Sequence, residues 1–282
     1  MIVILFLAFV EVLLFFGSII LTAVYLFRWY KYTLSSNPIK RGTFSRILLA
    51  FLPVASFVII LYTLQNLASF DVVGSAVYIV MYLMIGLVWF YFGVFLMFAF
   101  FDVSWVDDAL NMNNPAAALA VVGGGLGVTI IYAGSNIGDG PGWWCVFFAG
   151  GLGLTAWFAL GVLANLSTRV FKRITVGRSM ACAIRTCAYL ISSGIVLGRA
   201  SAGDWTSFGK TVIEFLDGWP VLIITAAFIL IELIFVTGEK RGEQGKAIGI
   251  ILSLIFGAAY IAVAIYALQV LPPLPVNPMY EL

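Results

Sequence analysis

The chain has 282 residues, of which 63% are hydrophobic and only 10% charged, with a formal net charge of +2. A soluble domain carries about 25% charged residues, so this chain cannot cover itself with a solvated surface and reads as a polytopic membrane protein. It contains no histidine, which removes imidazole metal sites, histidine haem ligation and Ser-His or Cys-His catalysis.

An apolar run of about 20 residues crosses the hydrocarbon core, and eight helical spans are predicted on that basis: 2–27, 47–68, 73–101, 115–134, 143–166, 179–198, 219–237 and 247–271. The expected fold is an all-α transmembrane bundle. It divides into an N-terminal hairpin (1–72), a four-span core (73–205) and a C-terminal hairpin with a proline-rich tail (206–282). The first span lacks a basic leader and a small-residue cleavage site and outruns a signal-peptide core, so it is expected to be retained. Pro53 is expected to kink the second span, and the third is long enough to tilt. The fourth opens on "NNPAAALAVVGGGLGVTIIYAGSNIGDG" (113–140), where Asn114 before Pro115 is a ready N-cap. The tail "LPPLPVNPMYEL" favours polyproline II and suffices to stop the last helix.

Lys and Arg collect on alternate connections. The first carries Arg28, Lys31, Lys40, Arg41 and Arg46, the fifth Arg169, Lys172, Arg173 and Arg178, the seventh Lys240, Arg241 and Lys246. Only Arg199 and Lys210 fall on the other side, and Arg185 lies inside a span. The positive-inside rule then places both termini outside the cytoplasm. Asp102, Asp107 and Asp108 make the third connection acidic, but acids weigh little in that rule. Ser104 and Asp107 are expected to start a short interfacial helix there rather than to bind a divalent cation.

A weak repeat runs through the core. At an offset of 64, Asn114-Pro115-Ala116-Ala117-Ala118 lies over Arg178-Ser179-Met180-Ala181-Cys182, and Gly134 over Gly198, while Gly138-Asp139 and Gly203-Asp204 follow one residue out of step. The Asn-x-Ala-Ala opening, the glycine-interrupted span and its repetition resemble the YjfL-like bacterial inner-membrane family (domain of unknown function 350) over residues 80–205. The second copy departs from the family pattern with Arg178 in place of Asn. The resemblance implies an integral membrane protein of the bacterial inner membrane, found near envelope-stress systems, and no catalytic residue to carry over. The predicted topology makes the repeat parallel, related by an axis along the membrane normal.

Gly123, Gly124 and Gly127 sit in mid-span, with Gly134, Gly153, Gly194 and Gly198 continuing the small-residue faces. In lipid such residues let helix backbones approach closely; the alternative is an unwound helix facing a substrate. A phosphate loop is excluded because no Lys-Ser/Thr follows. Cys145, Cys182 and Cys187 lie in apolar runs, and the last two sit about 140° apart on a helix, so neither a disulfide nor a metal clip is expected.

Ionisable groups inside spans are the sharper signal, because each costs at least about 2.5–3.5 kcal/mol to insert. Arg185 and Glu232 fall at similar depth on neighbouring spans and are expected to pair, with Tyr189 continuing the Arg185 face. Glu11 is expected about 5 Å from its span's midpoint on the opposite side, at the head of a face formed by Ser18, Thr22 and Tyr25.

No paired carboxylates, cofactor motif or metal-ligand spacing suggests an enzyme. The leading expectation is an envelope scaffold embedded in the lipid bilayer, packing by its glycine faces on a second copy or on other membrane proteins. The alternative is an ion or small-solute conductor using Glu11 and the Arg185–Glu232 pair. A conductor needs those three groups on one water-accessible cavity; a scaffold scatters them among helix contacts. Nothing points to nucleic acid or a cofactor.

Overall fold

The computed structural model describes residues 2–34, 43–236 and 243–280; Lys40, Arg41, Lys240 and Arg241 lie outside them. The chain folds as α1 (Ile2–Leu34), α2 (Thr43–Asn66), the single turn α3 (Phe70–Val73), α4 (Ala76–Phe101), a short wide-turned helix (Trp105–Asn111), α5 (Pro115–Ser135), α6 (Trp143–Thr168), α7 (Val170–Thr175), α8 (Met180–Ala200), α9 (Phe208–Phe215), α10 (Pro220–Val236) and α11 (Glu243–Val270). Seven of these are long and apolar enough to cross a membrane, and the α9–α10 pair, bent by 41°, brings the number to eight. The protein is therefore an all-α, multi-pass helix bundle, with only isolated β-bridges among the described residues.

Several helix starts carry the signals that the sequence provides. Ser75, Asn114, Ser179 and Ser207 cap α4, α5, α8 and α9 with side-chain oxygens that accept backbone N–H bonds. The third span does not run continuously from residue 73: Gly74 and Ser75 separate α3 from α4. Ser104 starts the Trp105–Asn111 helix, its hydroxyl accepting the Asp107 N–H at 2.9 Å while its own N–H donates to Asp108 at 2.7 Å.

α5 and α8 form the centre and run parallel. Gly123 lies against Cys187, Gly127 against Leu190 and Gly194, and Gly134 against Gly198. On one side α2 runs alongside α5, Leu52 meeting Gly125 and the Ser56 and Thr129 hydroxyls meeting at 2.9 Å. On the other side α11 runs alongside α8, Gly257 meeting Ala188. The four remaining spans point the opposite way. α4 packs Gly93 on Val128 and Met97 on Gly124. α6 donates from the Trp157 indole to the Leu190 carbonyl at 3.0 Å, and α10 stacks Phe228 on Tyr189. α1 donates from Trp29 to the Leu49 carbonyl of α2 at 2.8 Å.

The repeat is better registered than the sequence indicates. A shift of 65 residues carries N-cap onto N-cap (Asn114 onto Ser179) and superposes the 21-residue helices α5 and α8 end on end. The same shift brings Asn113 (φ 49°) onto Arg178 (φ 50°), Gly138 (φ 105°) onto Gly203 (φ 125°), and Asp139 onto Asp204. The expected offset of 64 is thus corrected by one. Arg178 stands in for Asn113, and Ser179 does the capping that Asn114 does in the first copy. Before each of these helices comes a 26-residue one, α4 and α6, ended by a left-handed residue, Asp102 or Arg169.

Alternate connections gather at each end of the bundle. Arg169, Lys172 and Arg178 mark the basic end, with the Trp105–Asn111 helix beside them. Asp71, Asp139, Asp204 and Glu214 gather at the acidic end.

Candidate functional site

A buried charged centre lies near the basic end, where α8, α10 and α11 meet. Arg185 and Glu232 are both fully buried. Arg185 Nε donates to Glu232 Oε1 at 2.5 Å and Nη2 to Oε2 at 2.9 Å, a two-pronged pair. Arg185 Nη1 donates to Ser253 Oγ of α11 at 2.5 Å, and the Ser253 hydroxyl passes its own proton to the Gly249 carbonyl at 2.6 Å. The guanidinium carbon stands 4.2 Å from the centre of the Phe235 ring, a cation–π contact on a further side. Below them Arg173 reaches in from α7, Nη1 donating to Glu232 Oε2 at 2.6 Å, and Cys182 Sγ lies 3.7 Å from the same oxygen.

The sequence brings Arg185 and Glu232 to similar depth but assigns Arg173 to a loop count. Arg173 is missed because α6 ends at left-handed Arg169 and the chain restarts as the short helix α7, a break that no periodicity announces. The carboxylate ties α7 and α8 to α10, and Arg185 carries the link on to α11 through Ser253. Arg173, Cys182 and Arg185 each donate to that carboxylate, so the centre works as a fixed electrostatic latch. Tyr189, one turn on, donates to the Thr225 hydroxyl at 3.1 Å, since the Thr225 proton is committed to the Val221 carbonyl at 2.8 Å.

Glu11 is elsewhere. α1 runs parallel to α4, with the Thr22 hydroxyl donating to the Met84 carbonyl at 3.0 Å and Tyr25 stacked on Tyr91. Eleven residues before Thr22, at 1.5 Å each, Glu11 comes about 16 Å nearer the acidic end. It lies beside the start of α4, within electrostatic reach of Tyr82. The expected depth of about 5 Å from the span's midpoint is corrected: α1 is longer than its apolar run, so the span's centre lies further along. The Ser18–Thr22–Tyr25 face is an α1–α4 contact.

The glycine faces close within the chain. An ideal Cβ on Gly134 would fall 2.1 Å from the Gly198 carbonyl oxygen, on Gly124 2.1 Å from Met97 Sδ, and on Gly153 2.7 Å from Ile131 and Ser201. The expectation that they meet another chain is overturned: their partners are α8, α4 and α5 of the same chain. α5 is an unbroken helix through Gly123–Gly127, so its carbonyls stay in the helix ladder.

Asn114 does more than cap. Its Oδ1 accepts from the Ala116 and Ala117 amides at 3.1 and 3.3 Å, and its Nδ2 donates to the Ile174 and Thr175 carbonyls at 2.9 and 3.1 Å. Across the pseudo-axis Arg178 donates to the Met112 carbonyl at 3.0 Å. Each copy thereby ties off the chain entering the other.

At the acidic end a cleft of about 70 Å³ is lined by Asp71, Asn136, Asp139, Cys145, Asp204 and Glu214, among others. None of Glu11, Arg185 and Glu232 lines it. Burial raises the Asp139 carboxyl above the usual carboxylate range, and Asp204 and Asp71 push the same way, against the Phe70 N–H that it accepts. Asp108, at the basic end, is likewise raised by burial first, then by Asp102 and Asp107. Among the described residues no group of three or more Cys, Asp or Glu could hold a metal ion.

Comparison with family models, with curated proteins and with solved structures finds no match.

Proposed function

We propose that the protein is a non-enzymatic structural component of a bacterial inner membrane, a scaffold that presents a sealed helix bundle to lipid and to other membrane proteins. The observation that carries this is the separation of its intramembrane charges. Arg185 and Glu232 are fully buried and mutually saturated near the basic end, while Glu11 lies toward the acidic end on a helix that packs on α2 and α4. A conductor would need them on one wet path. The close glycine approaches seal α5 against α8 and α4, so any partner or second copy has to use other surfaces. α1 and α11 bury little of themselves and carry large exposed apolar side chains such as Phe16, Ile20, Ile255 and Tyr266; these are the faces that lipid and partner helices meet. The basic connections favour an orientation with both termini outside the cytoplasm.

Flux measurements on proteoliposomes test the proposal. Wild-type protein is expected to add no proton or monovalent-cation permeability under either sign of gradient. A flux that Glu11→Gln or Arg185→Ala abolishes would replace the scaffold with the conductor.

A further inference from the structure

Residues after α11 do more than stop a helix. They fold back along the acidic end and lie beside the second copy of the repeat. Arg199 donates to the Pro272 carbonyl at 2.5 Å, and the Asp204 N–H to the Pro275 carbonyl at 2.9 Å. Asn277 makes the main fastening: its N–H donates to Asp204 Oδ2 at 3.0 Å and its Nδ2 to the Trp205 carbonyl at 2.8 Å. Asp204 Oδ1 meanwhile accepts the Asp139 N–H at 2.8 Å, so one carboxylate holds both the cleft wall and the tail. Gly203, at φ 125°, leaves room for the Pro275 ring, which an added Cβ would meet at 2.6 Å. Gly203, Asp204 and Trp205, which the segment touches, all line the cleft, and beyond Asn277 the chain continues to Tyr280. Burial and the neighbouring Cys145, Asp139, Asp204 and Asp71 all raise its hydroxyl above the ordinary value, and all four neighbours line the cleft.

We propose that residues 271–280 are a strap that controls entry to the cleft, latched by Asn277 onto Asp204 and Trp205. The fastening is a handful of hydrogen bonds with little buried apolar surface; Met279 is 80% exposed. A segment held that way opens at much lower cost than the helices beneath it. Latched, it braces the Gly203–Trp205 wall of the cleft. Released, it frees that wall and opens the way to Cys145, which lines the same cleft and is 8% exposed.

Cys145 makes the strap's position measurable. Full-length protein in detergent is treated with a bulky maleimide, and the rate at Cys145 is read by peptide mass spectrometry, with Cys187, packed against Gly123 between α5 and α8, as internal reference. Asn277→Ala is expected to speed labelling of Cys145 about fivefold, the factor that one lost hydrogen bond gives, and removal of residues 272–282 to speed it further, with Cys187 unchanged. Unaltered Cys145 rates in both variants would overturn the proposal, as would equal acceleration at Cys187, which reports general loosening. Should the truncated chain fail to give a single gel-filtration peak, Asn277→Ala decides alone.

Discussion

Gly134 and Gly198 meet backbone to backbone, an ideal Cβ on the first falling 2.1 Å from the carbonyl oxygen of the second. Neither side has a flexible group that can yield, so the parallel α5–α8 pair can exist at this distance only with glycine there. Gly134→Ala should force the helices apart and lower the unfolding temperature in detergent, at a cost of about 1–3 kcal/mol or more. Gly151→Ala is the control. Nothing lies within 4 Å of its Cβ position, so the same change there should be neutral or stabilising by up to about 1 kcal/mol.

Glu232 answers Arg185 and Arg173 together. Glu232→Gln removes the charge that offsets a fully buried guanidinium, and loss of one partner of a buried pair costs about 3–5 kcal/mol. Arg185→Met combined with Glu232→Leu removes the desolvated charges as well and should recover most of that loss. Denaturant-induced unfolding of the three proteins, followed by tryptophan fluorescence, checks the order. A single variant as stable as wild type would show that the latch contributes nothing.

Asn114→Ala and Asn114→Ser separate the two tasks of that side chain. Serine keeps the cap on α5 but cannot reach the Ile174 and Thr175 carbonyls. Alanine should lose about 1 kcal/mol for the cap and a comparable amount for the two donated bonds. Serine should lose only the second part. Equal destabilisation by both would mean that the cap carries no weight.

Asp139 gives a pH dependence whose sign is fixed by its surroundings. Its folded-state carboxyl is raised by burial, and then by Asp204 and Asp71, so the native state holds its proton more tightly than the unfolded chain. Stability from this group is therefore present at acid pH and lost as pH rises from the ordinary carboxylate value through the raised one. Asp139→Asn keeps an oxygen for the Phe70 N–H and should raise the unfolding temperature at pH 7. The gain should stay below about 1 kcal/mol, since the group is only partly buried, and should vanish at acid pH.

Most of the fold was legible because lipid imposes a simple rule: apolar runs of sufficient length become helices. Asn114, Pro115 and Ser104 announced their helix starts by side-chain chemistry alone. The repeat's register was misjudged by one because matching of letters aligned Asn114 with Arg178. The folded chain aligns backbone roles instead: left-handed Asn113 with left-handed Arg178, and cap with cap. Helical depth arithmetic sufficed for Arg185 and Glu232. It failed for Glu11, because α1 continues to Leu34 beyond its apolar run. Arg173 and the strap were invisible for a shared reason: each lies beyond the point where a helix breaks off, at Arg169 or after Val270, and the path past a break leaves no periodic trace. Small-residue faces are equally silent about whether the partner helix belongs to the same chain.

The central claim, that the Arg185–Glu232 centre is sealed from water, is tested most directly at a thiol already in place. Cys182 Sγ lies 3.7 Å from Glu232 Oε2, and its residue is 0% exposed. Protein in sealed vesicles is treated from either side with a small, water-borne methanethiosulfonate, and Cys182 is read by peptide mass spectrometry. A sealed latch leaves Cys182 unmodified over the time in which the SDS-unfolded chain reacts fully. Modification of Cys182 in the intact bundle, from either side, would contradict the claim and put water on the path to Glu232.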